Sequence, residues 1–234
     1  MELQQLERQI QKQLPRPNGV EIVKTKQFSI PIQTILAKYT PIRRIPMDIL
    51  MKMMLLTFQT GRFQDVEMVA DVLLVEALFI EDLLQKMKKT GLVTVEETIQ
   101  LTEKGRSQLA AGIFEEQLEE MEQELYYSPL HEAFLQGELA EFDEFPDELS
   151  HEKMAVWTDE QIVAASSNDD DDETFITSIN SAEELQIHDV PCFQYVLHDT
   201  NKNTFDIRVF NTFTNAWDVQ LEQLIKASEQ NDKN

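Results

Sequence analysis

Four histidines and one cysteine are the first residues to weigh for chemistry in this chain. His131, His151, His188 and His198 are dispersed without the short spacings of a zinc site, and Cys192 has no Cys-x-x-Cys partner. Cys192 follows Pro191 and has no lysine or arginine beside it to favour a thiolate, so it reads as an inert, half-buried thiol. The histidines read as surface or cap residues. Asp169 to Asp172 with Glu173 is dense in carboxylates, yet a calcium loop needs spaced ligands and a glycine at its sharp turn, and this run has neither. Pro146-Asp147 with Glu152-Lys153 has the residue types of metal-assisted phosphodiester cleavage, but that chemistry needs the carboxylates on adjacent strands, and this stretch has no strand pattern. No glycine-rich phosphate loop, Gly-x-Ser-x-Gly elbow or His-Glu-x-x-His string occurs. The expectation is a chain without catalytic residues, metal or cofactor, and not an enzyme. What remains is recognition. Phe142, Phe145 and Trp157 lie within an acidic stretch, as in segments that settle on a basic, apolar groove, or else they pack back on their own domain. Arg43, Arg44, Lys52, Arg62, Lys104 and Arg106 are the cations that could form a stripe in the first half.

Such residues need elements to hold them. Residues 2 to 14 place Leu3, Leu6, Ile10 and Leu14 at three-to-four spacing, which predicts a short amphipathic helix stopped by Pro15 and Pro17. After Asn18-Gly19, VEIVKTKQFSIPI alternates weakly and predicts one or two short strands, with Pro31 implying a sheet edge. From Pro46, MDILMKMMLLTF, DVEMVADVLLV and EALFIEDLLQKMKKTG are three apolar-periodic blocks with very short connectors. The third stops at Gly91, as a left-handed cap requires. LVTVEETIQL predicts a hairpin turning near Glu96-Glu97, and Thr102 caps a further helix. Residues 113 to 127 carry Phe114, Leu118, Met121 and Leu125 at helical spacing and predict an acidic helix that extends this domain or serves a partner. Residues 129 to 173 lose periodicity and gather acid, the composition of a tether. Beyond them, a helix-like AEELQ precedes two strands that share an apolar face: Cys192, Tyr195 and Leu197 against Phe205, Ile207 and Val209, turned at Thr200 to Asn203. Trp217 to Ala227 closes the chain as a helix that turns Trp217, Leu221, Leu224 and Ile225 to the sheet. The fold class is α+β in four segments: 1–39, a helix and short strands; 40–128, the helices and hairpin with the acidic helix; 129–173, an acidic linker; 174–229, a small α+β domain.

The string TGLV…IQLTEKGRSQL, from Thr90 to Leu109, resembles the wing and last helix of MarR-like and PadR-like winged-helix proteins, in which a glycine ends the recognition helix and L-T-x-K/E-G opens the last one. The likeness extends over residues 45 to 112. It implies a winged-helix domain and, in the ordinary use of that fold, a third helix in the major groove. The side chains argue against that use. The third helix opens Glu76, Ala77, Leu78, Phe79, Ile80, Glu81, Asp82, which brings three carboxylates toward phosphates. Lys86, Lys88 and Lys89 fall at its far end, where they complement the helix dipole, and the wing tip is Glu96-Glu97, where minor-groove clamps carry arginine or lysine. Glu76, Phe79, Ile80 and Asp82, together with Phe142, Phe145 and Trp157, are therefore the candidate contacts to a protein partner. The six cations named above are the candidate contacts to a DNA backbone if the module is used in the ordinary way.

Charge is divided along the chain. Residues 1 to 106 carry 15 lysines and arginines against 13 aspartates and glutamates, whereas residues 107 to 234 carry 5 against 30. Residues 40 to 106 hold 9 basic and 10 acidic side chains, no excess with which to hold DNA non-specifically. An acidic surface repels phosphate and attracts basic surfaces over about 8 to 10 Å. No apolar run approaches the roughly 20 residues of a membrane span, the first residues lack a signal peptide's apolar core, and one cysteine suits a reducing compartment, so a cytoplasmic, bacterial-type protein with no membrane contact is expected. In composition and architecture alone, the chain resembles acidic accessory subunits of chromosome-organising ATPases and the acidic winged-helix factor of RNA polymerase. The expected function is a non-enzymatic adaptor or regulatory subunit that binds a basic partner protein of a nucleic-acid-associated complex. The alternatives are a DNA-binding winged-helix regulator autoinhibited by its acidic half, and a DNA-mimic inhibitor. A homodimer fits the pattern as well.

Overall fold

The computed structural model describes residues 3–14, 17–149, 156–166 and 173–231. They form two compact units, one from residues 1–38, 122–166 and 178–234 and the other from 39–121 and 167–177. Both mix helices with strands.

In the first unit, a six-stranded sheet comprises β1 (Val20–Tyr39), β6 (Met121–Ser128), β7 (Ala133–Leu135), β9 (Ile179–Asp199), β10 (Thr204–Asn211) and β11 (Ala216–Trp217), in the order β11-β10-β9-β1-β6-β7. The β9–β10 hairpin pairs Asp199 with Thr204 and Cys192 with Asn211, and its turn places Asn203 in the left-handed region. Strand alternation makes the sheet apolar on both faces. Phe193, Tyr195 and Leu197 meet Ile10 and Leu14 at the end of α1 (Leu3–Gln13), whereas Cys192, Ile207 and Val209 meet Leu221 and Ile225 of α7 (Val219–Asn231). A third helix, α6 (Asp159–Ser166), buries Ile162 against Ile35, Ala37, Leu125 and Tyr127. Thr158 and Gln161 start it with reciprocal bonds between side chain and backbone N–H.

The second unit contains α2 (Ile49–Thr60), α3 (Val66–Leu73), α4 (Ala77–Lys89), the hairpin β3 (Val93–Val95) and β4 (Ile99–Leu101), and α5 (Glu103–Ala111). Thr102 caps α5 as expected, and Asp48 and Asp65, which the sequence reading did not single out, cap α2 and α3 in the same way, each accepting a backbone N–H of the first turn. Met54, Leu55, Ile80, Met87 and Leu92 are fully buried in one core, and Phe63 bridges to Ile99 beside the hairpin. A separate three-stranded sheet joins β2 (Ile42–Pro46) between β5 (Ile113–Gln117) and β8 (Thr174–Phe175).

Several expectations are corrected. Residues 113–117 form β5 and 121–128 form β6 rather than a helix; Phe114 to Leu118 and Met121 to Leu125 are each spaced by four, an even interval that suits a strand as well, and long-range pairing of β5 with β2 and of β6 with β1 and β7 decides it. AEELQ lies within β9, not a helix, because it pairs along β1. Pro31 is interior rather than at an edge. Two residues before it, Ser29 bonds through its N–H and C=O to Asp147 and Leu149, so by alternation the N–H that Pro31 lacks faces the interval between that bridge and β6. Cys192 and Tyr195 occupy opposite faces of β9, Phe205 and Leu224 are exposed, and Trp217 belongs to β11. The four serial segments of the sequence reading give way to one unit that interrupts the other, since the two ends of the chain share a sheet. Part of the proposed linker is ordered as β7 and α6; Asp169 to Asp172, His151 and Glu152-Lys153 lie outside the described residues.

His131 is no surface residue. It is buried, with Nδ1 2.6 Å from Ser128 Oγ and Nε2 2.9 Å from Asp218 Oδ2, while Asn211 and the Leu221 N–H donate to the same carboxylate. Burial alone would raise the Asp218 carboxyl, but the hydrogen bonds from His131, Asn211 and Leu221 prevail and hold it below its ordinary value. Its stabilisation is therefore present above the ordinary carboxylate pKa of about 3.9 and is lost as pH falls through the lowered folded value. Asp218→Asn should cost about 1 to 3 kcal/mol at pH 7 and flatten the acid limb of a urea-midpoint-against-pH profile. In the second unit, a Cβ on Gly105 would fall 2.2 Å from the Leu92 carbonyl oxygen, so Gly105→Ala should destabilise by about 1 to 3 kcal/mol, read as faster amide exchange in α5 and β3.

Candidate protein-interaction surface

Among the described residues of the second unit, the turn between α3 and α4 collects the largest group of uncovered apolar side chains. α3 ends in Leu74, a left-handed cap whose side chain is 91 % exposed, and α4 starts at Glu76 without a side-chain cap bond. Leu78 is 64 % and Phe79 56 % exposed, with Met68 and Val72 one turn apart on α3. Glu67, Asp71, Glu76, Glu81 and Asp82 are exposed around them. Of the candidate anchors, Phe79 is available, and Ile80, the next residue, is 0 % exposed and belongs to the core. A 100° step along the helix separates them. Ile80 is therefore no contact for a partner, whereas Met68, Val72, Leu74 and Leu78 belong to the surface. Their signal in the sequence is α3 itself, VEMVADVL, too apolar for a helix that buries one face only.

The cations of the proposed stripe are mostly engaged. β2 and β5 pair Arg43 with Glu116 and Arg44 with Glu115 across the strands, at 2.6 and 2.8 Å between charged atoms. Lys86 reaches Glu116 at 3.1 Å and lies over the Phe114 ring, and Arg44 lies over Phe175. Bonds from Arg43 and then Lys86 hold the Glu116 carboxyl below its usual value. Exposed pairs of this kind contribute only about 0 to 1 kcal/mol each, but they neutralise the charge a phosphate would need. Lys104 donates to the Thr90 carbonyl at the end of α4 and Arg106 to the Leu101 carbonyl. Lys52 and Arg62 are exposed with no acidic partner among the described residues. Glu96 and Glu97 at the hairpin tip are exposed.

The aromatic residues of the acidic stretch separate into two groups. Trp157 packs, half-buried, beside α6 and the core around Ile35 and Tyr127, so it serves its own unit. Phe142 and Phe145 form an edge-to-face pair 6.4 Å apart, with Phe145 exposed, in the wall of a cleft of about 620 Å3.

Ser128, His131 and Asp218 have the residue types of a hydrolase triad, but Ser128 is fully buried and none of the three lines any of the larger clefts. Their bonds tie the end of β6 to the start of α7, a structural clamp. Burial pushes the Cys192 thiol far above its usual value, with Asp218 adding to the rise. Among the described residues no three His, Cys, Asp or Glu side chains are placed to hold a metal ion, and no helix is long and apolar enough to cross a membrane. No family profile, curated protein or solved structure matches this chain. Replacement of Leu78 and Phe79 by serine should leave stability within about 0.5 kcal/mol, whereas Ile80→Ala should cost about 2 to 5 kcal/mol, as read from denaturant midpoints.

Proposed function

We propose that the chain is a non-enzymatic, cytoplasmic adaptor or regulatory subunit that binds a basic, nucleic-acid-handling protein. In this reading α2 to α5 with the β3–β4 hairpin are a winged-helix domain, its order helix, bridge, helix, helix, hairpin, helix. The observation that carries it is the α3–α4 surface: uncovered Leu74 at the turn and Leu78 and Phe79 on α4, the helix a DNA-binding member of the fold would present to bases, with five exposed carboxylates on the same two helices. Phosphates are repelled there, while a basic apolar patch gains both steering and burial. One observation favours a second reading, an autoinhibited DNA-binding regulator. Glu115 and Glu116 occupy Arg43, Arg44 and Lys86, as an internal competitor for phosphate would.

One set of proteins separates the two. Full-length wild type should give no gel shift with a random duplex at about 10 µM and low salt, a concentration at which non-specific DNA binders are engaged. Full-length E115Q/E116Q should behave alike under the adaptor reading and bind DNA at least about tenfold more tightly under autoinhibition. Affinity purification from the native host should retain a basic protein at low salt that is lost at high salt and lost with L78E/F79E. Retention that ignores both changes would end the adaptor reading.

A further inference from the structure

β9 is longer than the partner on one of its sides. β1 follows it along one edge, but β10 covers the other only from Asp199 back to Cys192, and Thr212 closes that ladder by donating twice to the Pro191 carbonyl. Residues 181–190 therefore show an edge without a strand partner among the described residues. It is about 33 Å long. Exposed edges are usually guarded by lysine, proline, a bulge or brevity. This one has no lysine or proline before Pro191, and the charges that guard it, Glu183, Glu184 and Asp189, are all acidic, so they deter an acidic strand and not a basic one. Its side chains are Glu183, Leu185, Ile187 and Asp189 on one face and Glu184, Gln186 and His188 on the other, with Leu185 and Ile187 about half exposed. Two copies of the chain paired here would set carboxylates against carboxylates, which disfavours self-association.

A cleft adjoins the same residues. The segment 138–145 is held at its start by the Glu138 N–H on the Phe213 carbonyl. At its end Ser29 binds the Pro146 and Asp147 carbonyls and accepts from the Leu149 N–H. Phe213 lies just beyond β10 and Ser29 in β1, so the segment must cross β9, the strand between them. Gly137 is required at the first anchor, because a Cβ would fall 2.1 Å from the Phe213 oxygen. The arch so formed walls the cleft of about 620 Å3 with Phe142, Phe145 and Glu138 on one side and residues 186–191 on the other. No lysine or arginine lines it.

We propose that this edge and its cleft receive an extended, arginine- or lysine-bearing segment of a protein partner by strand addition. Main-chain hydrogen bonds along residues 181–190 supply the pairing. On one face of the added strand cationic side chains meet Glu183 and Asp189, Glu184 adds its charge from the other face, and one cation enters the cleft over the rings of Phe142 and Phe145. The inference shares with the adaptor reading the expectation of a basic partner, and it places a contact that does not involve the α3–α4 surface.

The test uses the full chain and a labelled peptide of about ten residues alternating arginine and valine, followed by fluorescence anisotropy at about 50 mM and about 500 mM salt. Binding is expected at low salt and none by the glutamate counterpart. An analogue N-methylated at every second amide, which keeps the charge and removes the pairing, should bind at least about tenfold more weakly. E183K/E184K/D189K and F142S/F145S should each weaken binding at least about fivefold, with circular dichroism as the check on folding. L78E/F79E should bind as wild type does, so this proposal and the adaptor reading can fail separately. Equal binding of the N-methylated peptide, displacement by spermine alone at matched charge, or a dimer in sedimentation that E183K/E184K/D189K abolishes would overturn it. Should a variant fail to fold, the N-methylated peptide decides.

Discussion

The middle of β1 is buried from Phe28 to Ile35, and a strand buried there must satisfy hydrogen-bonding groups along both of its edges. Each buried group left unpaired costs about 1 to 3 kcal/mol, so neither edge can be left to the interior. The partners it finds, β6 and β9, come from far along the chain. That requirement makes the second unit an insertion. The chain leaves the sheet at the end of β1 and returns to it as β6, and the excursion is drawn together where β2 pairs with β5, Ile42 opposite Gln117. The buried clamp of Ser128, His131 and Asp218 then fixes the returning strand to the last helix.

Elements set by neighbours within a few residues were legible in the sequence. α2, α3 and α4 follow from a 3.6-residue period and the stop at Gly91, and α5 from its cap Thr102; Asp48 and Asp65 act over the same short range. The β9–β10 turn and α7 follow from similarly local signals. Elements set by distant pairing were not. The fate of residues 113–117 depends on β2, some 70 residues earlier in the register, that of residues 121–127 on β1, and AEELQ is held extended by β1 against the helical preference of its glutamates. The Thr158–Gln161 capping pair is a local signal, hidden by the acidic stretch that contains it. For the interaction surface, Leu78, Phe79 and Ile80 are three apolar residues in a row, and composition cannot say which one turns inward. A place in the shared core, with α3 packed against α4, decides for Ile80.

The acidity of the chain, −23 in all, is put to different physical uses in different places. Asp48, Asp65 and Asp218 accept backbone N–H groups at helix starts, where the dipole favours a carboxylate. Glu115, Glu116 and Glu222 hold arginines, the last reaching both Arg208 and the Val209 N–H. Most of the remainder stays in water and acts on whatever approaches. A carboxylate's contribution here is set by what it faces, and the count in the sequence says little of that.

The separation of β1 from its partners has a consequence for the birth of the molecule. Roughly 140 residues lie between the end of β1 and the start of β9, which at ordinary rates of translation is about 7 to 28 s. During that interval the helices of the inserted unit can emerge and close on one another through local contacts, while the apolar strand ahead of them waits with an open flank. A nascent chain in this condition invites chaperones or errant strands. The segment most deeply enclosed in the finished fold is the one that must be sheltered longest on the ribosome.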